Sequence, residues 1–277
     1  MNLNLRKFSM RQIRFDKNEA QGPISIMIGR RGTGKSVLIQ DAMYYHQSIP
    51  SGTVISGTEE GNGFFGRMVP HIFIHNDYHV SIIERVLLRQ QEIMKRWTGE
   101  LSTYKKSNID PRTFLIMDDC LYDETWTREK LMRYVFMNGR HRKIMFILTM
   151  QYPLGIPPAL RSNIEYVFLL RDTIVANQKR LYDAYAGMFE TFDEFRQVFS
   201  QVTTDYGCLV IDYTSNSNQL TDQVFWYKAA VHEPYKLGAP EFWELSRTVE
   251  ERHSGTEYDP KRLRKRSSVP ISVKKKG

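Results

Sequence analysis

The feature that most constrains this 277-residue chain is a junction close to its start. A nearly all-apolar run, Ile24-Ser25-Ile26-Met27-Ile28, leads directly into Gly29-Arg30-Arg31-Gly32-Thr33-Gly34-Lys35-Ser36. A short run of this kind reads as a strand buried on both faces of a parallel sheet. Val37, Leu38, Ile39 and Met43 then supply the apolar side of a helix. Strand, glycine-rich loop, helix is the arrangement that binds a polyphosphate. Glycines let backbone N–H groups approach where a Cβ would collide, and the helix N-terminus adds unpaired donors and partial positive charge. The eight residues fit the Walker A pattern. Gly29 through Ser36 are therefore expected to cradle ATP, with Lys35 reaching the β- and γ-phosphates and the Ser36 hydroxyl on Mg²⁺.

The rest of the chain reads as the α/β scaffold such a loop requires. Strand candidates recur at Thr53–Ser56, Ile72–His75, Phe114–Met117, Ile144–Thr149 and Ile164–Leu170. Between them, Ile82, Ile83, Val86, Leu87, Ile93, Met94 and Trp97 follow helical spacing, as do Leu131, Met132, Val135 and Phe136. Alternation of this kind predicts a P-loop core with a mostly parallel sheet flanked by helices. A further stripe runs from Ile174 to Phe189, and Thr191 with Glu194 predicts a capped helix carrying Phe195, Val198 and Phe199. Tyr206–Tyr213 and Val224–Tyr227, joined by the polar loop 214–222, predict an added antiparallel strand pair. The expected division is an N-terminal arm over 1–22, an ATPase domain over 23–245 and a basic flexible tail over 246–277.

A nucleotide site also needs carboxylates. Phe114-Leu115-Ile116-Met117-Asp118-Asp119 places two at the C-terminal end of a buried strand. Asp118 is expected to contact Mg²⁺ through water and Asp119 to polarise the lytic water. Gln151 follows the next strand and either senses the γ-phosphate through that water or lies in a surface loop. Asn138-Gly139-Arg140-His141-Arg142-Lys143, just before the same strand, reads as an arginine finger onto a neighbouring subunit, a DNA contact or a solvated loop.

Charge is informative through its distribution. The net +8 comes entirely from the end of the chain, where Lys261, Arg262, Arg264, Lys265, Arg266, Lys274, Lys275 and Lys276 stand without an acid. The preceding residues balance 31 basic against 31 acidic side chains. Any DNA contact by the body must then come from local clusters; Trp97 and Tyr104 among Lys95, Arg96, Lys105 and Lys106 read either as the lining of a DNA channel or as an amphipathic helix end with a solvated loop. The tail itself reads as a nuclear-import signal, a DNA-tethering arm or a solubilising segment. Cys120 and Cys208 are too few for a disulfide framework, which points to a reducing compartment. No apolar run is long enough for a membrane span, and the basic N-terminus lacks a secretory h-region. His71, His75 and His79 do not share a helical face and are not read as a metal site.

The ordered motifs Gly29–Ser36, Phe114–Asp119, Gly139-Arg140 and Thr149-Met150-Gln151 with Pro153 resemble the HerA/FtsK superfamily of DNA-pumping ATPases. Within it, they resemble the viral genome-packaging ATPases of large DNA viruses. Leu209–Asp212 and Val224–Ala229 look like the viral branch, so the resemblance covers about residues 22–232. It implies that Gln151 is the polar sensor and that Arg140 projects into the adjacent subunit's site. It also implies a homo-oligomeric ring moving along double-stranded DNA, with a capsid or membrane-associated vertex protein as anchor. The setting would be the infected host cell, in a cytoplasmic virus factory or the virion, with nuclear access through the basic tail. Two departures stand out. Asp119 is a methylene shorter than the Glu common at that position, and Tyr152 stands where cellular relatives tend to have Arg.

Two other function classes are a small-molecule P-loop kinase and a nucleotide-dependent scaffold that does not act on DNA. The kinase needs an acceptor pocket that no segment suggests, and Asp119 with Gln151 suits attack by water better. A guanine-selective switch would carry an Asn-Lys-x-Asp element, which is absent, so ATP is the expected nucleotide.

Overall fold

In the computed structural model of the chain, residues 4–19, 21–120, 124–152 and 155–254 are described. Eight strands form one sheet: β1 (Ile24–Ile28), β2 (Gly52–Ser56), β3 (Ile74–His75), β4 (Thr113–Asp118), β5 (Ile144–Met150), β6 (Tyr166–Leu170), β7 (Gly207–Asp212) and β8 (Val224–Lys228). Their spatial order is β3-β2-β4-β5-β1-β6-β7-β8. The strands from β3 to β6 are parallel, and β7 and β8 extend the sheet by antiparallel pairing. The expected mostly parallel core with an antiparallel addition is therefore what forms. Helices α1 (Lys35–Tyr44), α2 (Glu59–Asn62), α3 (Val80–Tyr104), α4 (Lys130–Asn138), α5 (Pro158–Arg161), α6 (Val175–Tyr185), α7 (Phe192–Val202), α8 (Leu220–Gln223) and α9 (Pro240–Ser254) complete it.

Strand residues alternate between two apolar layers, as the two-residue period demands. Ile24, Ile26, Ile28, Leu115, Leu148, Val167 and Leu209 face a layer that includes Val135 of α4, Leu181 of α6 and Phe195 of α7. Met27, Phe114, Ile116, Ile147, Phe168 and Val210 face a second layer holding Leu38, Ile39 and Met43 of α1. Burial on both faces explains why these strands read as continuous apolar runs rather than alternating ones. The cap on α7 forms as expected, with Thr191 Oγ1 accepting from the Glu194 amide at 3.2 Å.

Four segments differ from the sequence expectation. The leading arm is built into the body: Phe8, Met10, Ile13 and Phe15 are buried in the α1-side layer. The Phe8 ring packs edge-on against Tyr166, Phe168 and Phe225. Strand β7 begins at Gly207, because Tyr206 takes a left-handed turn conformation instead of extended backbone. His71–Phe73 forms a 3₁₀ turn, leaving β3 only two residues. Helix α9 extends to Ser254, eight residues past the expected start of the tail. Phe242 and Ser246, one turn apart, are both buried and anchor it. The basic run from Lys261 onward lies outside the described residues. Among the described residues no helix is long and apolar enough to cross a membrane.

Candidate functional site

The loop after β1 turns at the C-terminal edge of the sheet. Its first residue is pinned by the Gly29 amide donating to the Met150 carbonyl at 3.0 Å. A Cβ on Gly29 would lie 2.6 Å from Leu170 Cβ and 2.7 Å from Thr33 Oγ1, so only glycine fits between β6 and the loop. Gly32 and Gly34 have φ of 79° and 96°, and Gly34 is the N-cap residue of α1. The loop thus delivers backbone amides and a helix N-terminus to one point, as anion binding requires. Lys35 is buried. Its Nζ donates to the carbonyls of Gly29 at 2.9 Å and Arg30 at 3.3 Å, and lies 3.1 Å from Asp119 Oδ2.

Strands β4 and β5 bring the carboxylates beside this lysine. Ser36 Oγ donates to Asp118 Oδ2 at 3.1 Å, and Thr149 Oγ1 donates to Asp118 Oδ1 at 2.6 Å. Thr149 Oγ1 also accepts from the Asp119 amide at 3.0 Å. Burial pushes the Asp118 carboxyl above its ordinary range, and the charge of Asp119 adds to the rise. The Thr149 and Ser36 hydroxyls and the Lys35 ammonium act in the other direction. Burial, helped by Asp118, pushes the adjacent Cys120 thiol up to about 12, so it stays neutral. Asp119 has a left-handed φ of 45°, which turns the chain out of β4, and its Oδ2 accepts from Gln151 Nε2 at 3.2 Å. A carboxylate short of balancing positive charge, 3.1 Å from a serine hydroxyl, is a donor set suited to a hard cation such as Mg²⁺.

These groups line a cavity of about 1340 Å³. Lys35, Ser36, Asp118, Asp119 and Gln151 form one part of its wall, while Tyr206, Lys228, Ala229 and Val231 line it from the β7–β8 side. The structure therefore brings together Lys35 and Ser36 of the glycine loop, both aspartates and Gln151. It does not bring Arg140 to them. Arg140 lies in the 3₁₀ turn Gly139–Arg142 that enters β5, whereas Gln151 follows the opposite end of that strand. The length of β5 separates the two by about 20 Å at the usual rise per residue. The Arg140 charge instead reaches Glu165, lowering a carboxyl that burial raises, and Arg140 Nε is buried without a hydrogen-bond partner. Arg142 is committed locally, donating from Nε to Tyr134 Oη at 3.0 Å.

Sequence reasoning missed the roles of Thr149 and Asp41. The signal for Thr149 was a polar residue closing an otherwise apolar strand beside the aspartate strand. For Asp41, it was an acid inside the apolar stripe of α1, between Leu38, Ile39, Ala42 and Met43. Asp41 is fully buried and accepts from Tyr227 Oη at 2.5 Å, the Ala230 amide at 3.1 Å and His232 Nε2 at 2.6 Å. It fastens the segment after β8 to the helix that carries the loop.

No protein-family model matches the sequence. The chain is 37% identical over 265 residues to the uncharacterized protein L437 of Acanthamoeba polyphaga mimivirus, covering 95% of this chain and 90% of that one. It is 35% identical over 236 residues to the uncharacterized protein 075L of invertebrate iridescent virus 6, covering 83% and 87%. Among solved structures, it is similar to the genome packaging NTPase B204 from Sulfolobus turreted icosahedral virus 2 in complex with AMP. That match has a TM-score of 0.50 and 14% identity, over 76% of this chain and 98% of that one. The pCW3 conjugation coupling protein TcpA matches with a TM-score of 0.50 and 12% identity, over 84% and 66%. EssC (ATPases 2 and 3) from Geobacillus thermodenitrificans matches at 0.51 and 15%, over 86% and 45%. The chain belongs to the family of large-DNA-virus proteins that includes mimivirus L437 and iridescent virus 075L, and it shares its fold with the B204 NTPase and TcpA.

Proposed function

We propose that the chain is an ATP-hydrolysing motor that translocates double-stranded DNA and packages a viral genome into a preformed capsid. The observation that carries the hydrolytic part is the convergence of Lys35, Ser36, Asp118, Thr149, Asp119 and Gln151 at the end of the glycine loop. The amides of Gly29–Ser36 and the Lys35 ammonium hold the triphosphate. Ser36 and Asp118 are the residues to hold Mg²⁺, which when bound neutralises phosphate charge. Asp119, kept at the cavity wall by Gln151, orients the attacking water, and Gln151 links that water to the state of the γ-phosphate. A cavity that gathers groups for water attack favours hydrolysis over transfer to a second substrate.

Two observations support action on DNA as part of a ring. The relatives are proteins of large DNA viruses, and the fold is shared with a genome packaging NTPase and a conjugation coupling protein. Arg140 lies too far from its own chain's loop to serve it, which fits a finger for the adjacent subunit of a homo-oligomer. Such a motor works in the infected cell, in the virus factory or at the virion, seated on a capsid or membrane-associated vertex protein. The test is ATP-dependent displacement of a third strand annealed to linear duplex DNA. Displacement that stops in Lys35→Ala supports translocation. A triplex left intact during active hydrolysis would remove it.

A further inference from the structure

We infer that Tyr206, with Ala229 and Val231, forms a subsite that stacks the purine ring of the nucleotide; this rests on the nucleotide reading above. The cavity is polarised by strand order. Asp118, Asp119 and Gln151 stand at the ends of β4 and β5, to one side of β1, and Tyr206 and the segment after β8 stand to the other. A triphosphate whose γ end meets Asp119 sends its nucleoside toward β7. That strand lies two positions from β1, about 10 Å at ordinary strand spacing.

Tyr206 is presented there by a turn with a conformational cost. Asp205 and Tyr206 take consecutive left-handed conformations, with φ of 49° and 59°. Non-glycine residues seldom do so, and such outliers concentrate where a side chain must be aimed. The turn is held at both ends. Gly207 donates to the Thr204 carbonyl at 2.8 Å, and Asp205 pairs with Lys228 Nζ at 2.5 Å. The result is an aromatic ring 67% exposed whose Cδ1 would lie 3.6 Å from a Cβ on Gly34, directly against the loop. Val231, 87% exposed, faces the same cavity.

The segment after β8 is fixed rather than free. Asp41 holds the Ala230 amide and His232, and the His232 ring stacks on Tyr44 with centroids 3.7 Å apart and planes 5° from parallel. An exposed aromatic ring and an exposed aliphatic side chain, both lining a preformed cavity next to a phosphate loop, make a platform for a flat heterocycle.

Isothermal titration of Mg²⁺-ATP and of inorganic tripolyphosphate into wild type, Tyr206→Ala and Tyr206→Phe tests this. Tyr206→Ala is expected to weaken ATP binding about five- to a hundredfold, the worth of one base–aromatic stack. Tripolyphosphate affinity should stay at the wild-type value, and Tyr206→Phe should retain ATP. Unchanged ATP affinity in Tyr206→Ala would overturn the subsite, as would parallel weakening of both ligands. A wild type that bound neither ligand would remove the nucleotide reading itself, an outcome distinct from loss of the subsite alone.

Discussion

Thr149 joins the two aspartates through a single hydroxyl: it donates to Asp118 Oδ1 at 2.6 Å and accepts from the Asp119 amide at 3.0 Å. The register of β4 and β5 makes this possible, because Met117 pairs with Leu148 and the next residues emerge side by side. The hydroxyl stabilises the ionised form of Asp118 against a burial that favours the neutral one.

Thr149→Val keeps the shape and removes both bonds. Hydrogen bonds to charged groups contribute about 1.5–3 kcal/mol, so hydrolysis should fall by about ten- to a hundredfold. Losing a donor to the carboxylate raises the Asp118 pKa further, so the acid limb of the rate profile should move to higher pH. A pH–rate profile of the variant that superimposes on the wild type would contradict this role.

Asp41 predicts a stability effect with a functional consequence. Asp41→Ala leaves the Tyr227 hydroxyl, the Ala230 amide and His232 without their buried acceptor. Each such group costs about 1–3 kcal/mol when unsatisfied, so the melting temperature should fall by several degrees at least. The segment that Asp41 fastens lines the cavity, so KM for ATP should rise more than kcat falls. Thermal melting and steady-state kinetics check the two parts separately.

His46 gives the stability a pH dependence. It is buried, and burial together with the Arg112 charge lowers its pKa from 6.5 to about 4, with Asp16 acting the other way. The folded state therefore binds fewer protons than the unfolded state between those values. Stability is lost as pH falls from about 6.5 toward 4, by up to roughly 3 kcal/mol. Melting temperatures across that range should decline in the wild type and decline less in His46→Leu. Equal slopes would place the titrating group elsewhere.

Much of this was legible in the sequence where chemistry and local pattern coincide. The glycine loop was visible because three glycines, Lys35 and Ser36 follow an all-apolar strand, and Asp118 because an acid ending such a strand has few other reasons to be there. Long-range burial left weaker marks. Phe8, Met10, Ile13 and Phe15 follow no single period, so the leading segment read as an arm although it packs against the sheet. Tyr206 continued the apolar alternation of Cys208 and Val210 and was counted into the strand. Only the backbone reveals the left-handed turn that lifts it out. Helix α9 went unread in the sequence, with its second half counted into the tail, because one buried aromatic and one buried serine make too thin a stripe.

Arg140 is best tested by mixing subunits. Arg140→Ala keeps its own nucleotide loop intact, and Lys35→Ala keeps its Arg140. If Arg140 serves the neighbour, each variant alone should be nearly inactive, and mixed assemblies should recover hydrolysis at sites where Lys35 and a neighbouring Arg140 meet. An Arg140→Ala protein as active as wild type, or mixtures with no recovery, would refute the finger.

The central claim is that the Lys35 site hydrolyses ATP in response to duplex DNA. Steady-state hydrolysis with and without linear duplex DNA, in wild type and Lys35→Ala, tests it most directly. The expected result is strong stimulation of the wild type by DNA and no hydrolysis by the variant under either condition. Hydrolysis indifferent to DNA would contradict the motor, and hydrolysis that survives Lys35→Ala would contradict the site.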